Sequence, residues 1–222
     1  MIILGIDSSD EFVAAGISDN DRVLASSAST PEQRNKNYLH RLMEATLETI
    51  NMKISDVEAV SVSVGPGSFT GLRVGLAAAK GICWSRKIPL LGISSLEAIA
   101  GSIDNKTGKI LTFKDARRDE YYYATFEKIE NEWVRLTPDQ AGGIEEIKAL
   151  INKGFKAAGR IECLQDRIPE NNLSGMIDID PNRIGGAIAV MGHKQLVDGN
   201  KLDVSSASPQ YIRNPGIGKV RA

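Results

Sequence analysis

Ser63-Val64-Gly65-Pro66-Gly67-Ser68-Phe69-Thr70-Gly71-Leu72-Arg73-Val74-Gly75 reads as a strand that turns at once into a helix. Upstream, Val57 to Val64 alternates, with Val60, Val62 and Val64 on one side and Ser61 and Ser63 on the other, the period of a strand. Downstream, a helix runs from about Thr70 to Arg86. The glycines permit positive φ, Pro66 fixes one torsion, and Ser68 or Thr70 can satisfy orphan amides of the first turn. Free amides at the positive end of a helix dipole also form an anion seat, so Gly65, Gly67, Ser68 and Thr70 are candidates for holding a phosphate. A turn with a cap explains the same residues equally well. The Walker pattern is missing because Lys80 lies too far along the helix, and the third glycine of a dinucleotide fingerprint is missing too.

Before this segment, Ile2 to Ile6 ends at Asp7, and Val13 to Ile17 and Val23 to Ala25 follow. Ser18-Asp19-Asn20-Asp21 supplies turn chemistry between the last two, so the chain opens with a three-stranded meander. Pro31 closes it, and a helix is expected from about Asn37 to Ile50. After the glycine-rich segment, Pro89 to Ile93 is a strand, and Ser94 or Ser95 caps a helix through Ala100. This first lobe, residues 1–102, is β-β-β-α-β-α-β-α. Gly101 to Gly108 is the boundary, and residues 103–222 begin the order again. Ile110 to Phe113 leads to Asp115 as Ile2 to Ile6 leads to Asp7, an offset of 108 residues. Tyr121 to Phe126 and Trp133 to Leu136 complete a second meander. Ile144 to Ile151 is a helix, Phe155 to Ala158 a strand, and Arg183 to Lys194 a helix behind Pro181, able to pack back on the first lobe.

A meander followed by alternating helices and strands, twice in one chain, predicts an α/β protein of two actin-like, ribonuclease H-like lobes, each with a mixed sheet. Such folds hold phosphates on two hairpins. Asp7, Ser8 and Ser9, with Asp10, form the candidate first hairpin, without its usual glycine. Asp115-Ala116-Arg117-Arg118 occupies the second place with two bulky cations and no glycine.

The 222 residues suit two lobes, and 42% hydrophobic with 25% charged residues is ordinary for a globular protein. The apolar runs are too short to span a bilayer and Met1 leads straight into a strand, so a cytoplasmic protein without membrane attachment is expected. A net charge of -1 argues against an autonomous RNA binder, whose affinity rests on phosphate neutralisation. Cys83 and Cys163 are far apart, as are His40 and His193, and their spacing gives no metal site. His40 and Glu44 share a helix face without a second histidine. No catalytic residue is assigned.

Two helices suggest a contact surface. Leu39, Met43, Leu47 and Ile50 form one apolar stripe, and Tyr38, Leu42 and Ala45 widen it beyond what a single core needs. The next helix carries Gly71, Gly75, Ala78, Ala79 and Gly81, at about 1 kcal/mol per interior glycine relative to alanine. That penalty implies close packing, either on the helix's own sheet or on another subunit. The candidate interface is Tyr38, Leu39, Leu42, Met43, Gly71, Leu72, Gly75, Leu76 and Ala79. On this expectation, Leu42→Asp or Gly75→Glu abolishes pairing and leaves the lobes folded.

The glycine-rich segment resembles the G-P-G-S-F-T-G-L-R-x-G signature of the TsaB family. Gly5-Ile6-Asp7-Ser8-Ser9 resembles that family's G-I-D-T-S start. Lys114 to Tyr122 resembles its D-A-R-x-x-E-V-Y element, and Ser208-Pro209-Gln210-Tyr211-Ile212-Arg213 its P-x-Y-L-R ending. The four occur in family order and span nearly the whole chain. The helix at Tyr38 to Met43 departs from the family's H-S-E-R-L-L, and Asp119 stands where a small residue is common. The resemblance implies a non-catalytic partner of TsaD that recruits TsaE, homodimeric alone, for N6-threonylcarbamoyl-adenosine formation in tRNAs reading ANN codons. It also implies no cofactor of its own, ATP or ADP only at the partner complex, and tRNA contact only through that complex. The rival readings are a nucleotide-binding actin-like regulator and a metallopeptidase of the glycoprotease type.

Overall fold

The computed structural model describes residues 1–29, 38–104, 108–130, 132–168 and 175–212. Pro31, Asn37, Asn105, Lys106 and Arg213, which the sequence reading used, lie outside them.

The first sheet begins with an antiparallel meander, β1 (Ile2–Asp7), β2 (Ala14–Asp19) and β3 (Arg22–Ala28). After α1 (Tyr38–Glu48), β4 (Ala59–Gly65) pairs parallel to β1. Then α2 (Phe69–Arg86) leads to β5 (Leu90–Ser94), parallel to β4, and to α3 (Ser95–Gly101). The order is β3-β2-β1-β4-β5. The two helix starts follow from their caps, since the Ser68 hydroxyl accepts from the Gly71 N–H and the Ser94 hydroxyl from the Glu97 N–H.

The second sheet repeats the plan. β6 (Gly108–Arg117), β7 (Glu120–Ile129) and β8 (Glu132–Arg135) are its meander. β10 (Lys156–Gly159) lies parallel to β6 after α4 (Ile144–Asn152), and β11 (Ile177–Asp178) lies parallel to β10. The order β11-β10-β6-β7-β8 matches the first sheet strand for strand. β9 (Gln140–Gly143), which pairs with β7, and the two-residue β11 were not legible in the sequence. Neither offers an alternating apolar run, and the backbone ladder alone makes them.

The closing helix α5 (Pro181–Val197) starts at an Asp180 cap with proline in its first turn. It leaves the second sheet and lies on the first. A Cβ added at Gly5 or Gly16 would land on the Gly185 backbone, so helix and strands meet backbone to backbone. The Ser61 hydroxyl donates to the Ile188 carbonyl at 2.7 Å, and the Gly186 N–H donates to the Ser26 hydroxyl at 2.9 Å. Leu4, Ile6, Val60 and Val62 point to the other face, where Leu39, Leu42, Met43, Leu47, Leu76 and Ala79 complete a core. A second core, with Ile93, Leu96, Ile99, Ile110, Phe126 and Ile188, fills the space between the sheets. The layers therefore run α1 and α2, first sheet, α3 and α5, second sheet, α4. Among the described residues, no helix is long and apolar enough to cross a membrane.

Because the Gly185 contact leaves no room for a side chain, Gly185→Val is expected to cost about 3 kcal/mol or more of folding stability through overpacking. Urea unfolding followed by circular dichroism measures this.

Candidate functional site

The β1–β2 hairpin and the glycine-rich turn are built against each other. The Ser68 N–H donates to the Ser9 carbonyl at 2.8 Å, and the Ser95 hydroxyl donates to the Pro66 carbonyl. The Asp7 carboxylate accepts from the Ser9 N–H at 3.1 Å and from the Ser9 hydroxyl at 2.6 Å. The Ser8 hydroxyl donates to the Gly71 carbonyl at 2.7 Å. Gly65, at φ 128°, lies under the Gln210 carbonyl of the C-terminal segment, whose N–H donates to the Val64 carbonyl at 2.7 Å.

Between the lobes lies a cleft of about 450 Å³. The structure divides the expected phosphate seat. Ser9, Gly67, Ser68 and Thr70 line the cleft, whereas Asp7, Ser8 and Gly65 sit below its wall. Three of the charged residues of the cleft, Glu11, Lys114 and Arg160, are ones to which the sequence reading gave no role. Lys114, although buried, donates to the Ser9 hydroxyl at 2.6 Å and pairs with Asp10 at 3.2 Å. Arg160 reaches Asp10 at 3.5 Å, Glu11 at 2.7 Å and Glu162 at 2.8 Å, while Arg117 pairs with Glu11 at 3.2 Å and Asp115 at 3.5 Å. A lysine closing the apolar strand Ile110–Phe113 was the one available signal. Arg160 carries none, since only the β6–β10 pairing brings it to the cleft.

Burial pushes the Asp10 carboxyl up, but Lys114, the Glu11 N–H and Arg160 together outweigh it and hold the group below its ordinary value. Glu11 is held down first by its hydrogen bond from Arg160, against a smaller effect of burial. Burial alone would lower the Arg160 guanidinium, yet its hydrogen bonds to Glu11 and Glu162 and the charge of Asp10 raise it. Burial also raises both thiols, Cys83 to about 11, so neither is a ready nucleophile near neutral pH.

The second candidate surface is the outer layer of the first lobe. Here the structure corrects the sequence reading. Leu39, Leu42, Met43, Gly71, Leu72, Gly75, Leu76 and Ala79 are buried in this chain's own core, and Tyr38 packs against its edge. The small face of α2 is turned inward because the helix must approach β1, and a Cβ at Gly75 would land on the Ser8 hydroxyl. Leu42→Asp and Gly75→Glu therefore attack the fold itself. Open to solvent on α2 are Val74 at 50% and Trp84 at 72% exposure, together with Ala77, Gly81 and Ser85. Val74, Ala77, Gly81 and Ser85, but not Trp84, border a groove of about 770 Å³ shared with His40 and Ile54, whose turn is held by Arg86 donating to the Ile54 and Ser55 carbonyls. Among the described residues, no three His, Cys, Asp or Glu side chains stand where one metal ion could bind them.

The depressed carboxyls set a pH dependence. A group whose folded value lies below its ordinary one, 3.8 for Asp10 and 4.5 for Glu11, stabilises the fold above that ordinary value and ceases to as the pH falls through the folded one. Stability is therefore expected to decline from about pH 5 to about pH 3, with a shallower decline in Asp10→Asn. Urea midpoints across that range provide the check.

Two matched sheets, helices between them and an inter-lobe cleft at paired hairpins define a two-lobed actin-like protein. A model of the family described as TsaD, tRNA N6-adenosine threonylcarbamoyltransferase, matches residues 25–190, and the chain belongs to that family. It is 31% identical to the tRNA threonylcarbamoyladenosine biosynthesis protein TsaB of Escherichia coli, over 59% of this chain and 57% of that one. It is 33% identical to the Bacillus subtilis TsaB, over 63% and 61%. The chain thus matches about 60% of the length of these curated relatives. A tRNA N6-adenosine threonylcarbamoyltransferase of Syntrophus aciditrophicus is 34% identical over 46% of this chain but only 35% of its own. Among solved structures, YeaZ from Pseudomonas aeruginosa superposes with a TM-score of 0.75 at 21% identity, covering 95% of this chain and 99% of that one, a likeness of fold.

Proposed function

We propose that this chain is a TsaB-type accessory subunit. On this reading it does no chemistry itself. It pairs in the cytoplasm with a TsaD-type transferase, and through that complex with a TsaE-type ATPase, for threonylcarbamoyl-adenosine formation in tRNA. The observation that carries the proposal is the uncovered outer face of α2. An exposed tryptophan, Trp84 at 72%, on the same helix as Val74 and the apolar groove that Val74 borders, has the composition of an interface. The match to TsaB proteins over a larger share of their length than to the transferase supports the same reading. A self-pair through this face in the absence of the partner follows from the same surface, and any nucleotide is held at the complex rather than by this chain alone.

The deciding experiment is reconstitution of tRNA threonylcarbamoylation with a TsaD-type enzyme, with and without this chain. Modification is expected to depend on it, and equal rates in its absence would overturn the proposal. Trp84→Asp and Val74→Asp lie outside the core, so circular dichroism should be unchanged while pairing, measured by sedimentation, weakens by about tenfold or more.

A further inference from the structure

The inter-lobe cleft has a property that pairing through α2 does not use. The first lobe contributes the carboxylates, Asp10 and Glu11, and the second contributes the cations, Lys114, Arg117 and Arg160. Asp10 spans two of them, one oxygen 3.2 Å from the Lys114 ammonium and the other 3.5 Å from the Arg160 guanidinium. Glu11 likewise divides its oxygens between Arg160 at 2.7 Å and Arg117 at 3.2 Å. Lys114 is 6% exposed, and a lysine so buried requires a fixed counter-charge. The cavity is also lined by Gly67, Ser68 and Thr70, at the positive end of the 18-residue α2.

Three cations and a helix start around two acidic groups is the charge arrangement of a bound polyanion, but here the anions are the protein's own. We propose that Asp10 and Glu11 act as an internal counter-anion, which latches the lobes together and keeps the cleft from taking a phosphate-bearing ligand. Counting Asp115 and Glu162, the cleft carries three cations against four carboxylates. A diphosphate entering it meets no net attraction and displaces pairs already made. Without the two latch carboxylates, three cations face two. A di- or triphosphate then replaces the lost oxygens with its own, and charge-assisted hydrogen bonds from Arg160 and Lys114 hold it. The latch thus excludes small polyanions from the lone chain, whatever its α2 face binds.

Calorimetric titration of the chain with sodium pyrophosphate at low salt tests this. No binding is expected for the wild type at millimolar concentration. The Asp10→Asn/Glu11→Gln double variant is expected to bind at least tenfold more tightly, and to lose that gain when Lys114→Met is added. Glu11 is half exposed, so Glu11→Gln alone keeps the fold and is expected to show a smaller gain. If the double variant fails to fold, as read by circular dichroism, the single variant decides. Wild-type binding as tight as that of the variants, or a folded Glu11→Gln protein with no gain, would overturn the latch. Neither result bears on the reconstitution assay, so the two proposals fail separately.

Discussion

The contact between α5 and the first two strands is the constraint on which the rest of the molecule depends. Helix and sheet meet through glycine on both sides, with Gly185 against Gly5, Ala15 and Gly16. That approach brings the end of the chain onto its beginning. It fixes one face of the first sheet, and the α1 and α2 layer must then cover the other. Interiors packed to this density do not deform gradually, so the two lobes are joined by a rigid element rather than by a linker alone.

With the sheets held in this way, β1, ending at Asp7, and β6, with Asp115 near its end, deliver their hairpins to one cleft. Asp7 is satisfied by Ser9, Ser9 accepts from Lys114, and Lys114 pairs with Asp10, which in turn meets Arg160. The polar network crosses from one lobe to the other through a partly desolvated space, where an unmatched charge is costly and a matched one is strong. Two hairpins and a helix start meet at the cleft, and its cations are each paired with carboxylates of the protein.

The outer layer shows how burial and exposure divide one helix between two tasks. On α2, Gly71, Gly75 and Ala79 face the sheet, while Val74, Ala77 and Trp84 face outward. Small residues there serve internal packing, and the available surface is made by the larger ones. The C-terminal segment reinforces the same helix, with Lys80 donating to the Ser205 and Ala207 carbonyls and Tyr211 stacked 5.1 Å from Phe69. A start of α2 held from both sides gives the outer face a fixed shape.

The sequence by itself determined the elements and their order, apart from β9 and β11. Period-two runs such as Val60-Val62-Val64, caps such as Ser68 and Ser94, and the turn at Asn20-Asp21 act over a few residues, so they can be read locally. The repeated meander then determined the two-lobed class, and the motif at Gly65 to Gly75 pointed to the family. Only the tertiary structure decided which way each helix faces. A wide apolar stripe and a small-residue stripe look alike whether they bury against the chain's own sheet or another's, and here α1 and α2 bury theirs within. Only the tertiary structure could bring Asp10, Lys114 and Arg160 together, because contacts across 104 and 150 residues leave no local pattern.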